Sequence, residues 1–115
     1  MADTSIQREA EGWVVREALP AVYHQAFSKG AVPLVWGGAF EFDAVSHDRT
    51  TVACVSTSVA RTAGNKLAVG KIQKIKADTL YLLNAANVNR RVLVFTHESM
   101  LRHFEKERKA GRFPL

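Results

Sequence analysis

The sequence predicts one mixed α/β domain: a helix, a three-strand meander, a second helix, a fourth strand and a last helix. Three observations lead there. The chain has 115 residues, one domain's worth. Hydrophobic residues make up 47%, enough for one core and too many for a disordered chain. The apolar pattern switches from helical spacing to two-residue alternation and back along the chain.

Residues 4–28 read as helix, with Thr4 or Ser5 as its cap. Ile6, Ala10, Trp13 and Ala21 fall on one face at helical spacing. Glu17 falls near the middle of that face, and Glu9 and Glu11 lie to its sides. Pro20 lacks an N–H and crowds the preceding turn, so it should kink or restart the helix. Ala21 to Ser28 continues it with Val22, Tyr23 and Phe27, and Gly30 reads as the stop.

Val32 to Trp36 is a short apolar run, read as a strand whose start lies at an edge because of Pro33. Gly37-Gly38 is a hairpin signal. Phe40, Phe42 and Ala44 then alternate with Glu41, Asp43 and Val45, the period of a strand. Ser46-His47-Asp48-Arg49 is turn chemistry, and Thr51 to Thr57 is a third strand. Residues 58–70 read as a long loop.

From Lys71 to Asn87 a helical stripe returns, made of Ile72, Ile75, Thr79, Leu82, Leu83 and Ala86. Arg91 to Thr96 is a nearly continuous apolar run, which suits a strand buried on both faces. His97 to Lys109 is the last helix, with Leu101 and Phe104 inward. A meander followed by a helical crossover predicts a mixed sheet. The crossover strand should join parallel to a meander strand, with helices on both faces.

Composition narrows function. The formal charge of +5 suits a polyanionic partner. The lone cysteine, Cys54, cannot form an intrachain disulfide and sits in an apolar strand, where it reads as a buried small hydrophobe. MADTSIQRE has no apolar h-region, and no apolar run reaches bilayer length, so a cytoplasmic protein without membrane contact is expected. The four histidines lack zinc-ligand spacing.

Within the meander, Asp43 stands inside a strand, where a carboxylate needs a partner or a ligand. The third strand carries Cys54, Ser56 and Ser58 on one face. Arg61, Lys66, Lys71 and Lys74 cluster in the following loop and the first turns of its helix. These are the candidate nucleic-acid contacts. Arg102, Lys106, Arg108, Lys109 and Arg112 alternate with acids and read as a solvated helix.

This order of elements, with an acid in the second strand and a short polar motif in the third, resembles the PD-(D/E)XK nuclease superfamily. The likeness covers roughly residues 6–104. It implies a restriction-endonuclease-like fold and a divalent-metal site for phosphodiester hydrolysis. Asp43 in FEFDAVS fits the family's first metal-binding acid, and Glu17 fits its helix glutamate. The third strand departs from the pattern. In VACVSTS, Cys54 stands where an acid belongs and Ser56 where a lysine belongs. GNK at Gly64 to Lys66 and GKIQKI at Gly70 to Ile75 resemble the family's approach to its crossover helix.

The expectation is a catalytically degenerate nuclease-fold protein that binds DNA, RNA or a protein partner. Its vestigial site would be Asp43, Glu17, Cys54 and Ser56, with no cofactor. The alternative is an active nuclease holding Mg²⁺ through Asp43 and Glu17, with the Val55 carbonyl as a further oxygen. A third reading is a homodimerisation module, pairing through the Val32–Trp36 edge or the last helix.

Overall fold

The computed structural model describes residues 5–115; the candidate cap Thr4 lies outside them. The order is helix α1 (Ser5–Trp13), a π-helical turn (Val14–Ala18), α2 (Leu19–Tyr23), β1 (Phe27–Pro33), β2 (Ala39–Ser46), β3 (Thr51–Ser56), α3 (Val69–Leu83), β4 (Arg90–Phe95) and α4 (Glu98–Lys109). The four strands form one sheet in the order β1-β2-β3-β4. The first two pairings are antiparallel, and β3 pairs parallel with β4. The mixed sheet is therefore present as the sequence predicts.

Helices cover both faces. Val14 and Leu19 pack with Phe27, Ala44 and Ala53 on one side, together with half-buried Val55, Val92 and Val94. On the other side Leu82 packs on Val32, Phe42, Val45, Val52 and Cys54. Beside that cluster Ile72 and Ile75 of α3 meet Met100 and Phe104 of α4, over Leu93 and Phe95.

The first helix departs from its predicted phase. Ile6 and Trp13 are largely exposed, while Val14 and Leu19 are buried. A π-helical turn, closed by the Leu19 N–H on the Val14 carbonyl, precedes Pro20. That wider turn accommodates the proline and rotates the face that follows it. The helix ends at Tyr23, where His24 adopts φ 60° and its N–H caps the Pro20 carbonyl. Phe27 and Gly30, read as helix and stop, lie in β1 instead. The first strand therefore begins before Val32 and ends at Pro33 rather than Trp36. Gly37, at φ 106°, makes the reversal into β2, a conformation side-chain-bearing residues rarely adopt.

Two irregularities govern the site. From Ser28↔Val45 to Gly30↔Phe42, β1 advances two residues and β2 three. The extra residue is a β-bulge at Asp43–Ala44. Next, β2 and β3 pair in register only at Ala44↔Ala53 and Val45↔Val52. The strands separate beyond the bulge.

The β4 expectation needs correction. The strand lies at the sheet edge and is only half-buried, because among the described residues no strand lies beyond it. Among the described residues, no helix is long and apolar enough to cross a membrane.

Candidate active site

Where β2 leaves β3, a polar cleft of about 240 Å³ opens. Four elements line it: Glu11 from α1, Asp43 from the β2 bulge, Val55 to Ser58 from the end of β3, and Lys71, Lys74, Ile75 and Asp78 from α3. A second shallow cleft on the other side of the same carboxylates is lined by Arg8, Arg16 and Lys29. Glu11 and Asp43 border both clefts, so they form a saddle with cations on either side.

Asp43 is fixed by the irregular sheet. Its Oδ2 accepts the Val55 N–H at 2.8 Å, taking the place of a β2 carbonyl where the ladder has ended. The N–H and C=O of one strand residue point to the same edge. The next carbonyl, Ser56 C=O, turns to β4 and accepts from the Thr96 N–H at 3.0 Å. Val55's carbonyl therefore turns toward the β2 side, where Asp43 lies.

Glu11 and Asp43 face the same two clefts, close enough for each carboxyl to act on the other. Burial raises the Glu11 pKa first, and the Asp43 carboxyl raises it further; Lys29 and Lys74 pull it down. Two neighbouring carboxylates repel unless a proton or a cation lies between them.

Lys74 pairs with Asp78 at 3.1 Å. Burial works against its charge, but the hydrogen bond and charge of Asp78, then the charge of Asp43, outweigh it and raise the pKa. Lys74 is therefore a fixed cation at neutral pH. Ser56 is 9% exposed, and its Oγ accepts the Ser58 N–H at 3.5 Å.

The structure brings Asp43, Ser56, Lys71 and Lys74 to one cleft. Glu17 does not join them; it is exposed on the π-helical turn. Cys54 does not either. It is 2% exposed among core side chains, and burial pushes its thiol pKa far above the ordinary range, with Asp78 and Asp43 adding to the shift. Arg61 and Lys66 sit on a small loop closed by the Arg61↔Leu67 bridge, with Asn65 at φ 59°. Both are exposed and outside the cleft.

Glu11 is the residue that sequence reasoning missed as a site member. It precedes buried Val14 by three residues and half-buried Val15 by four, so those two valines mark its face. That signal was masked by Trp13, which looks like a core residue and is 58% exposed.

Asp48, the acid of the β2–β3 turn, has a structural role. It accepts from Ser46 Oγ at 2.7 Å, Thr50 Oγ1 at 2.7 Å and Thr50 N–H at 3.0 Å. The Ser46 bond first, then those from Thr50, hold its carboxyl well below the usual range.

Among the described residues, no group of three or more His, Cys, Asp or Glu side chains is arranged to hold a metal ion. No protein family matches the chain, and neither does any curated protein or solved structure.

Proposed function

We propose that this chain is a divalent-metal-dependent nucleic-acid phosphodiesterase of restriction-endonuclease-like architecture, with two functional groups supplied from unexpected elements. The observation that carries this reading is the Glu11–Asp43 carboxyl pair, which borders two clefts, one holding Lys71 and Lys74 and the other Arg8, Arg16 and Lys29. The degenerate reading rested on Cys54 and Ser56 standing where an acid and a lysine belong. In the present reading Glu11 of α1 replaces the acid and Lys74 of α3 replaces the lysine.

The donor set fits Mg²⁺ or Mn²⁺. Mg²⁺ retains several waters and is commonly held by one or two carboxylates plus substrate phosphate oxygens. Glu11 and Asp43 would supply the carboxylates, and the Val55 carbonyl a neutral oxygen. Bound there, the ion would stabilise charge on the phosphate and lower the pKa of its water.

The chain's own groups do the rest. Lys71 and Lys74 neutralise phosphate charge on one side of the saddle. Arg8, Arg16 and Lys29 do so on the other, so a phosphodiester strand can cross the carboxylates between two basic banks. The hydroxyls of Thr57 and Ser58 at the cleft wall can donate to phosphate oxygens. Lys74 stays protonated, so it acts through charge rather than as a base.

The test is cleavage of labelled single- and double-stranded DNA and RNA with Mg²⁺ or Mn²⁺, comparing the parent chain with Glu11→Gln, Asp43→Asn and Lys74→Ala. The expected result is metal-dependent cleavage, stopped by chelator and lost in both carboxylate variants. Tight salt-sensitive binding without cleavage by the folded parent chain would return the protein to the degenerate, binding-only reading. Cleavage that survives Asp43→Asn would move the chemistry elsewhere.

A further inference from the structure

The sheet has two outer edges, and they differ. The β1 edge carries Lys29 and Pro33 and lies beside the bulge, three features that discourage another strand from adding. The β4 edge has no proline and no bulge, and its cations, Arg90 and Arg91, are confined to its first two residues. Its register with β3 runs unbroken from Thr51↔Arg90 to Ser56↔Phe95, and Val92 to Phe95 are all apolar.

The hydrogen-bond phase of β4 is fixed at both ends. The Arg90 N–H donates to the Thr50 carbonyl at 3.1 Å, and the Thr96 N–H to the Ser56 carbonyl at 3.0 Å. Alternate residues of a strand bond to opposite neighbours. Even-numbered β4 residues thus turn to β3, and the main-chain groups of Arg91, Leu93 and Phe95 turn outward.

Apolar surface flanks this edge on both faces. On one face Trp13, 58% exposed, lines a cleft of about 440 Å³ with Val94, Phe95 and Thr96. On the other, Leu101, 40% exposed, lines a cleft of about 370 Å³ with Leu93, Phe95 and Phe104, rimmed by Arg90, Arg91, Glu105 and Arg108. Thr96 Oγ1, just past the end of the strand, is buried and has no hydrogen-bond partner among the described residues.

We infer that β4 pairs antiparallel with β4 of a second copy of this chain, with Leu93 opposite Leu93 across a two-fold axis. The edge is complementary to itself. In this register each outward residue exchanges both main-chain bonds, Arg91 with Phe95 of the second copy and Leu93 with its own equivalent. The charge pattern selects the antiparallel arrangement. A parallel pairing would place Arg90 and Arg91 beside their own equivalents, like charge on like charge. The antiparallel one places Arg91 beside an aromatic ring and Arg90 beside Thr96 of the second copy. The Arg91 guanidinium is already held in place by the Leu82 and Ala85 carbonyls at 2.8 and 3.0 Å, so a ring can cover it without ordering it first. Two joined sheets also leave only the protected β1 edges free. This replaces the Val32–Trp36 edge as the expected dimer contact; the last helix contributes only through Leu101 beside β4.

The experiment is sedimentation equilibrium of the full chain over a wide concentration range, with residue-resolved amide exchange by NMR on the same samples. A dimer is expected, in which the Arg91, Leu93 and Phe95 amides gain protection as concentration rises. The Val92 and Val94 amides, bonded to β3, should be protected at every concentration. The double variant Trp13→Glu/Leu101→Glu changes two exposed side chains and should raise the dimer dissociation constant about tenfold or more. A chain that stays monomeric at millimolar concentration overturns the inference. So does a dimer in which those three amides exchange as fast as in dilute solution. The exchange pattern is read on the parent chain, so the outcome does not depend on the variant folding.

Discussion

Glu11→Gln removes one charge from the carboxylate pair while keeping nearly the same shape. Its consequences follow from the local electrostatics. Two unit charges about 4 Å apart repel by about 1 kcal/mol in bulk water and about 4 kcal/mol at an effective dielectric near 20. Glu11 is half-buried, but Lys29 and Lys74 already offset part of the repulsion, so the net effect lies toward the lower figure. At pH 8 without metal, Glu11→Gln should therefore stabilise the fold by about 1 kcal/mol, a Tm rise of about 4 °C for a chain of this size. Folding raises the Glu11 pKa. Between its unfolded and folded values the native state then holds more protons than the unfolded one, so stability falls as pH rises through the raised value. The Gln variant should lack that fall.

Divalent metal should reverse the ranking. Mn²⁺ at a hundred times its dissociation constant stabilises the parent chain by about 2.7 kcal/mol. Glu11→Gln should weaken Mn²⁺ binding about tenfold or more by calorimetry. Glu17→Gln, on the exposed π-helical turn, should change stability by less than about 0.5 kcal/mol and leave Mn²⁺ binding unchanged. A lower Tm for Glu11→Gln at pH 8, or unaltered Mn²⁺ affinity, would refute the assignment.

Further outcomes follow from the same geometry. Asp43→Asn can still accept the Val55 N–H and should fold normally, whereas Asp43→Ala orphans that donor and should lose about 1–3 kcal/mol in urea melts. Lys71→Ala should reduce the salt slope of nucleic-acid binding by about 1, read by fluorescence anisotropy, with binding weakened uniformly across sequences. Cys54, deeply buried and with its thiol pKa raised by burial, should resist disulfide reagents in the native protein and react only at the rate of unfolding. Asp48→Asn should lower stability at pH 7. The gap to the parent chain should close as pH falls through the carboxylate range, because the lowered pKa of Asp48 stabilises only its charged form.

Much of the architecture was legible because it rests on local pattern. The β2 alternation, the third strand and the mixed sheet follow from periodicity and crossover geometry, as do Ile72, Ile75, Thr79 and Leu82 of the α3 stripe; Leu83 is exposed and Ala86 lies beyond the helix. The first helix did not read correctly, because its phase is not that of a uniform α-helix. A π-turn before Pro20 shifts the buried face to Val14 and Leu19. Upstream of the turn, exposed Trp13 marks the wrong face of α1 and hides Glu11; at the turn itself, Glu17 falls outside the buried face. The apolar β4 run was equally ambiguous. Its composition is that of a central strand, and only the order of strands reveals it as an edge. Of the candidate site, Asp43 and the α3 lysines were readable from motif spacing. The meeting of α1 with the bulge is a tertiary fact that no local window contains.

The bulge connects fold and site. Phe42 and Val45 pack on the α3 side of the sheet, yet they are three residues apart, an odd step that a regular strand would place on opposite faces. The extra residue resolves this. It leaves Ala44 in the cluster under the π-turn and α2, and Asp43 comes beside the α1 residue Glu11. The same insertion coincides with the end of the β2–β3 ladder, so the Val55 N–H finds the Asp43 carboxylate instead of a backbone carbonyl. A regular β2 would keep both strands paired and close the cleft. A deeper break in the strand would expose the core that Phe42 and Val45 seal. One added residue separates the strands just enough to admit a charged pair between them, and it keeps apolar side chains on both faces.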